Sequence, residues 1–208
     1  MNARSAYIDT NMSWGKFDAV KYQEQFFELI DVPGDNSCFY HAIVRNDILK
    51  ERNPQNLRAN TVAKSRQLYL YGTPREKMVM SLIYRNLGNK GDDLLHHLDR
   101  QQNSNEWGTT IEMCFISIIY GVNVCSISNT MTGFHLFDTH LCFNKLLRMD
   151  DYVVKGTSKI WLYHHALNRP FQVADEKNPA NHFCAMVPIR KIKRSLRSYS
   201  GVLSSYRD

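Results

Sequence analysis

A chain of 208 residues is long enough for one domain with a substantial core and short for two. With 43% apolar and 22% charged residues its balance excludes wholesale disorder, and no apolar run approaches the ~20 residues of a membrane span. The net charge of +6 points toward nucleic acid only until it is located: Arg190, Lys191, Lys193, Arg194 and Arg197 carry five of those charges and Arg207 cancels Asp208. The expected organisation is therefore a nearly neutral domain over residues 1–189, not itself a nucleic-acid binder, followed over 190–208 by a basic tail or linker to a larger protein. The first residues, Met1 to Tyr7, lack the apolar core of a secretory signal. Five cysteines, an odd number with no CxxC pair, do not form a disulfide framework, so a reducing, cytoplasmic setting is expected.

Residues 1–13 show no period. From Lys16 to Leu29 aromatics and charges mix (Phe17, Tyr22, Phe26, Phe27), which predicts a helix with an aromatic face. Val32 to Ile43, reading V-P-G-D-N-S-C-F-Y-H-A-I, is a tight turn running into an apolar-patterned stretch. Phe39, Ala42 and Ile43 fall at i, i+3, i+4 and predict a helix to about Lys50. Further helices are predicted over Leu57 to Tyr71, from near Pro74 to a stop at Gly88, and over Asp92 to Arg100. The clearest helix spans Asn105 to Val122, where Thr109 and Glu112 form a capping box ahead of a broad apolar face. Val122 to Ser128, Phe134 to Phe137, Ser158 to His164 and His182 to Val187 then read as strands. Helices first and strands second predict an α+β domain, a small mostly antiparallel sheet flanked by helices.

Cys38 sits where the turn would pass into a helix. Unfilled peptide N–H groups and the positive end of the helix dipole stabilise thiolate there, and the same N–H groups can hold an oxyanion. The other cysteines, Cys114, Cys125, Cys142 and Cys184, lack this context and read as core. Among eight histidines, His96, His97, His164 and His165 form adjacent pairs, whereas His182 opens an apolar strand after the turn-rich Asn178 to Asn181. A base held rigidly by a sheet fits that position, although spacing alone leaves the choice of histidine open. His182 and Cys184, two apart on a strand, face the same way as half a zinc site would; no second pair has ligand spacing, so neither a metal nor another cofactor is expected.

Three segments carry a family resemblance. Pro33 to His41 (P-G-D-N-S-C-F-Y-H), Asn105 to Glu112 (N-E-W-G-T-T-I-E) and Asn181 to Ala185 (N-H-F-C-A) resemble, in order, the signature segments of the ovarian-tumour (OTU) cysteine proteases. The pattern is most similar to the viral OTU domain at the amino terminus of nairovirus-type polymerase (L) proteins. The resemblance implies a papain-like OTU fold and a deubiquitinase cleaving after the C-terminal Gly-Gly of ubiquitin or ubiquitin-like modifiers. It further implies a monomeric domain acting on ubiquitinated host proteins in the host cytoplasm, away from membranes, to counter innate immunity. Carried over by position, Cys38 is the nucleophile and His182 the general base. Asp35 supports the oxyanion turn, Asn36 and Ser37 contribute to the oxyanion hole, and Trp107 forms a wall.

Two departures stand out. Asn36 occupies a glycine position, which asparagine tolerates best among other residues. Cys184 occupies the place of the family's Asp or Asn, two residues after the histidine, and a thiol is a weak orienting partner. Either Asn181 or another polar side chain orients His182, or the site works as a dyad. The alternative reading is a weak or inactive OTU-fold module that binds ubiquitin or a host factor.

Overall fold

The computed structural model describes residues 19–22, 25–88, 92–103, 106–130, 133–147, 158–165 and 182–189, and every structural statement concerns these. In chain order the elements are β1 (Ala19–Tyr22), β2 (Gln25–Ile30), α1 (Cys38–Arg45), α2 (Pro54–Tyr71), α3 (Pro74–Leu87) and α4 (Leu94–Gln102). They continue with α5 (Thr110–Tyr120), β3 (Asn123–Thr130), β4 (Gly133–Asp138), α6 (Thr139–Leu147), β5 (Lys159–His165) and β6 (His182–Pro188). The chain divides into one unit of residues 1–29 with 187–208 and another of residues 30–186. The expected basic tail lies outside the described residues.

In the smaller unit, β1 and β2 pair antiparallel as a hairpin with Tyr22 opposite Gln25, and the Ile189 N–H donates to the Phe26 carbonyl at 2.9 Å. The helix expected over Lys16 to Leu29 is therefore replaced by strands, and strands precede the first helix. Gln-Phe-Phe-Glu-Leu-Ile is rich in residues that suit a pleated surface, with Gln25 and Glu28 exposed and Phe27 buried. The aromatic spacing that suggested a helical face serves a sheet instead.

In the larger unit the strand order is β6-β5-β3-β4. β5–β6 and β3–β4 are antiparallel, while β3 and β5 run parallel from Asn123 opposite Lys159 to Asn129 opposite His165. The parallel pair lies within the sheet, and Val124 to Ile127 and Ile160 to Tyr163 are accordingly all buried, Ser126 included. The connection between them returns through β4 and α6; the latter carries no strong sequence signal and was not anticipated. The remaining architecture is the expected α+β arrangement.

Helix boundaries follow cap chemistry. Asn53 caps α2 with Pro54 in its first turn, and Thr73–Glu76 and Thr109–Glu112 form capping boxes on α3 and α5. α5 closes at Gly121, whose φ of 65° suits glycine. α1 is shorter than expected. Asn46 ends it, donating from Nδ2 to the Ala42 and Trp161 carbonyls (2.9 and 3.0 Å) and accepting from the Trp161 N–H (3.2 Å), which ties α1 to β5. One apolar cluster, including Phe39, Ile43, Ile116, Val124, Leu162 and Phe183, joins α1 and α5 to the sheet. A second, including Val79, Ile83, Leu98, Phe115 and Phe143, joins the helices to one another. Ile111 to Ser117 of α5 are all buried, so this helix serves both clusters.

Candidate active site

The turn before α1 is closed by one residue. Asp35 accepts from the Ser37 N–H through Oδ1 (2.8 Å) and from the Cys38 N–H through its carbonyl (3.1 Å). Cys38 becomes the first residue of α1 and is only 1% exposed. The Ser37 and Cys38 N–H groups are thus engaged within the turn, and among the described residues none of its hydrogen bonds uses the Asn36 N–H. Asp35 itself is half-exposed, with Oδ2 3.5 Å from His41 Nε2.

Arg58 holds this turn from beneath. Its guanidinium donates to the Asn36 carbonyl at 2.6 Å, to Ser37 Oγ at 3.3 Å and to the Asn103 carbonyl at 2.6 Å, and lies over the Tyr40 ring at 4.8 Å. The residue is 4% exposed. A rigid planar fork can serve three acceptors on two loops at once, which a lysine could not. Sequence reading passed over Arg58 because an arginine in a helix ordinarily marks a solvated face.

Burial raises the Cys38 thiol pKa. Peptide hydrogen bonds from Phe183 and Phe39 pull it down, the Asp35 carboxylate pushes it up, and the Arg58 cation pulls it down. The Phe183 N–H that reaches the sulfur belongs to the first peptide of β6, the one joining Phe183 to His182. Phe183 is held there by Phe39, edge to face at 5.4 Å between ring centroids, and by His164, stacked at 4.3 Å.

His182 is 2% exposed and its Nε2 lies 2.7 Å from Asp31 Oδ1. A carboxylate only accepts, so Nε2 carries the proton and, in the neutral ring, Nδ1 carries the lone pair. The orienting group is thus an aspartate on the residue following β2, 151 positions away in sequence. Asn181, the expected orienter, lies outside the described residues. Asp31 is itself held by the Val32 N–H at 3.0 Å and takes a longer contact from Cys184 Sγ at 3.6 Å. No periodicity links residues so far apart.

Trp107, the residue expected to form a wall, is held by its backbone. Gln101 Nε2 donates to the Trp107 carbonyl at 2.7 Å, and the part-buried Trp107 packs against the cluster that contains Cys38, Phe39 and Phe183. Gly108 admits this approach: a Cβ there would stand 2.2 Å from Phe39 Cδ1. Gly108→Ala is expected to lower stability by about 1–3 kcal/mol through overpacking, with kcat falling as Phe39 and the adjoining turn shift. Denaturant unfolding and steady-state kinetics check this; an unchanged midpoint would contradict it.

Of the remaining candidate histidines, His165 stands opposite His182 and His164 opposite Phe183 in the β5–β6 register, while His96 and His97 lie on α4. His96 contacts Asp92 at 2.7 Å, buried His97 contacts Glu112 at 2.6 Å, and His164 contacts Ser128 at 3.1 Å. The other cysteines are outside the site except Cys184. Cys125 lies 3.2 Å from Asp138, and burial holds its pKa far above the ordinary range. The donor atoms of Asp31, His182 and Cys184 all lie within 4.8 Å of one another, and among the described residues they form the group able to hold a metal ion.

No family model and no curated protein matches the chain. Among solved structures it is similar to the Hazara virus OTU bound to ubiquitin, at 18% identity and a TM-score of 0.49 over 90% of this chain and 98% of that one. It is also similar to the viral OTU domain protease from Taggert virus (18% identity, TM-score 0.46, covering 85% and 96%). A third is an OTU deubiquitinase from Wolbachia pipientis bound to ubiquitin (14% identity, TM-score 0.46, covering 78% and 96%). No helix among the described residues is long and apolar enough to cross a membrane.

Proposed function

We propose that the chain is a cysteine isopeptidase of the OTU kind, in which Cys38, His182 and Asp31 act as a triad to release ubiquitin from its conjugates. The observation that carries this reading is the 2.7 Å hydrogen bond from buried His182 to Asp31, which supplies the orienting carboxylate that Cys184 cannot. His182 Nδ1 takes the Cys38 proton as the sulfur attacks the scissile carbonyl, and the imidazolium that forms is stabilised by Asp31. The tetrahedral oxyanion is met by the Asn36 peptide N–H in the turn that precedes α1. Collapse breaks the C–N bond while His182 returns its proton to the leaving lysine amine; water then hydrolyses the thioester with His182 again as base. A raised thiol pKa is consistent with a nucleophile deprotonated during attack rather than stored as thiolate.

Ubiquitin as substrate rests on the three OTU-like sequence segments, as does a finer setting: a domain of a viral polymerase protein acting on ubiquitinated host proteins in the cytoplasm. The test is a ubiquitin derivative bearing an electrophile at its carboxy terminus. Covalent labelling is expected on Cys38, identified by mass spectrometry, and is expected to vanish in Cys38→Ala. Capture of ubiquitin without labelling or turnover would favour the binding-module reading and overturn this one.

A further inference from the structure

We propose that Asp31, His182 and Cys184 form an inhibitory binding site for a divalent transition-metal ion of the zinc type, created by the cysteine that stands two residues after the histidine. Carboxylate oxygen, imidazole nitrogen and thiolate sulfur are the three donor classes that zinc accepts, and three protein ligands leave a fourth position for water. The donors already converge, with His182 Nε2 2.7 Å and Cys184 Sγ 3.6 Å from the same Asp31 oxygen and all three within 4.8 Å. Around a tetrahedral zinc with bonds near 2.0–2.3 Å, neighbouring donors stand roughly 3.3–3.6 Å apart. Binding therefore needs the carboxylate to withdraw slightly from the imidazole and the sulfur to close in.

The burial pattern suits such an exchange. His182 and Cys184 are 2% and 5% exposed and project from one face of β6, so two ligands are fixed by the sheet. The Asp31 side chain is 69% exposed; it can move and gives the ion a path from solvent. Entry of the metal on Nε2 shifts the imidazole proton to Nδ1, so the ring stays neutral, and releases the Cys184 thiol proton to solvent, while Asp31 contributes a carboxylate oxygen.

The consequence for chemistry follows from the imidazole tautomer. Without metal, Asp31 holds the proton on Nε2 and leaves Nδ1 as a base. With metal on Nε2, the neutral ring carries its proton on Nδ1 and has no lone pair for the Cys38 thiol. The metal thus silences the base without touching the nucleophile. This inhibition rests on the proposed enzymatic reading, whereas metal binding does not.

Binding is therefore tested first, by titrating Co²⁺ into the Cys38→Ala protein, which has no nucleophile. One equivalent is expected to give visible d–d bands and a thiolate-to-cobalt charge-transfer absorption, both removed by competing Zn²⁺. Cys184→Ser, which nearly preserves volume, is expected to abolish the charge-transfer band and weaken Zn²⁺ by more than about tenfold, the scale on which even outer-shell partners act. Asp31→Asn, at an exposed carboxylate, is expected to weaken the ion while keeping the band. A band that survives Cys184→Ser, a band that requires Cys38, or no band at all would each overturn the site. If binding holds and Zn²⁺ leaves ubiquitin-probe labelling of the wild-type chain unchanged, the inhibitory role is overturned.

Discussion

Asp31→Ala is expected to lower kcat by about a hundred- to ten-thousandfold, with KM for a ubiquitin substrate near that of the wild type. The range is the scale on which removing a triad carboxylate acts in hydrolases of this logic. It corresponds to roughly 3–5 kcal/mol of transition-state stabilisation. The stability effect should be smaller, about 1–3 kcal/mol, because the Asp31 side chain is 69% exposed but its loss removes the acceptor of the buried His182 Nε2–H. That separation distinguishes a catalytic orienter from a structural contact: unfolding midpoints shift modestly and the fold is retained while turnover collapses. Asp31→Asn should fall between, since its carbonyl can still accept from Nε2 but carries no charge for the imidazolium. The position of Cys184 offers an internal control. It shares the β6 face of His182 and its sulfur already contacts Asp31, so Cys184→Asp placed in the Asp31→Ala background should recover part of the lost kcat. Wild-type turnover in Asp31→Ala would remove Asp31 from the mechanism and return the site to a dyad.

How far the sequence reveals this site depends on the range over which each interaction acts. The helices α2, α3, α4 and α5 are set by local chemistry, caps and apolar spacing, and they were legible to within a few residues. The Cys38 elbow was legible for the same reason, because Asp35 closes a turn on residues only two and three positions ahead. The β1–β2 hairpin was misread because its aromatics sit in a segment too short for helical and pleated periods to separate. The His182–Asp31 contact could not be read at all. It joins residues brought together only when the sheet assembles, and neither residue carries a local mark of the other. Arg58 belongs to the same class: its acceptors are main-chain carbonyls of Asn36 and Asn103, which any residue type would present.

Arg58 also carries the second large effect. Arg58→Met would leave the part-buried Asn36 and Asn103 carbonyl bonds and the buried Ser37 Oγ without their donor, each costing up to about 1–3 kcal/mol where water cannot enter. A stability loss of several kcal/mol is therefore expected, together with a marked fall in kcat as the Asn36 peptide loses its anchor and the turn no longer aims its N–H. The electrostatic part has a definite sign. A cation near the sulfur favours thiolate, so its removal raises the Cys38 pKa and moves the pH profile of Cys38 alkylation to higher pH. This contribution ranks below burial and the Phe183 and Phe39 hydrogen bonds, so the rate loss should come mainly from geometry. Arg58→Lys separates the two. It keeps the charge but cannot reach three acceptors on two loops, so kcat should fall while the alkylation profile stays near that of the wild type. A methionine variant with unaltered kcat and an unshifted profile would show that the buried fork merely fills space beneath the turn.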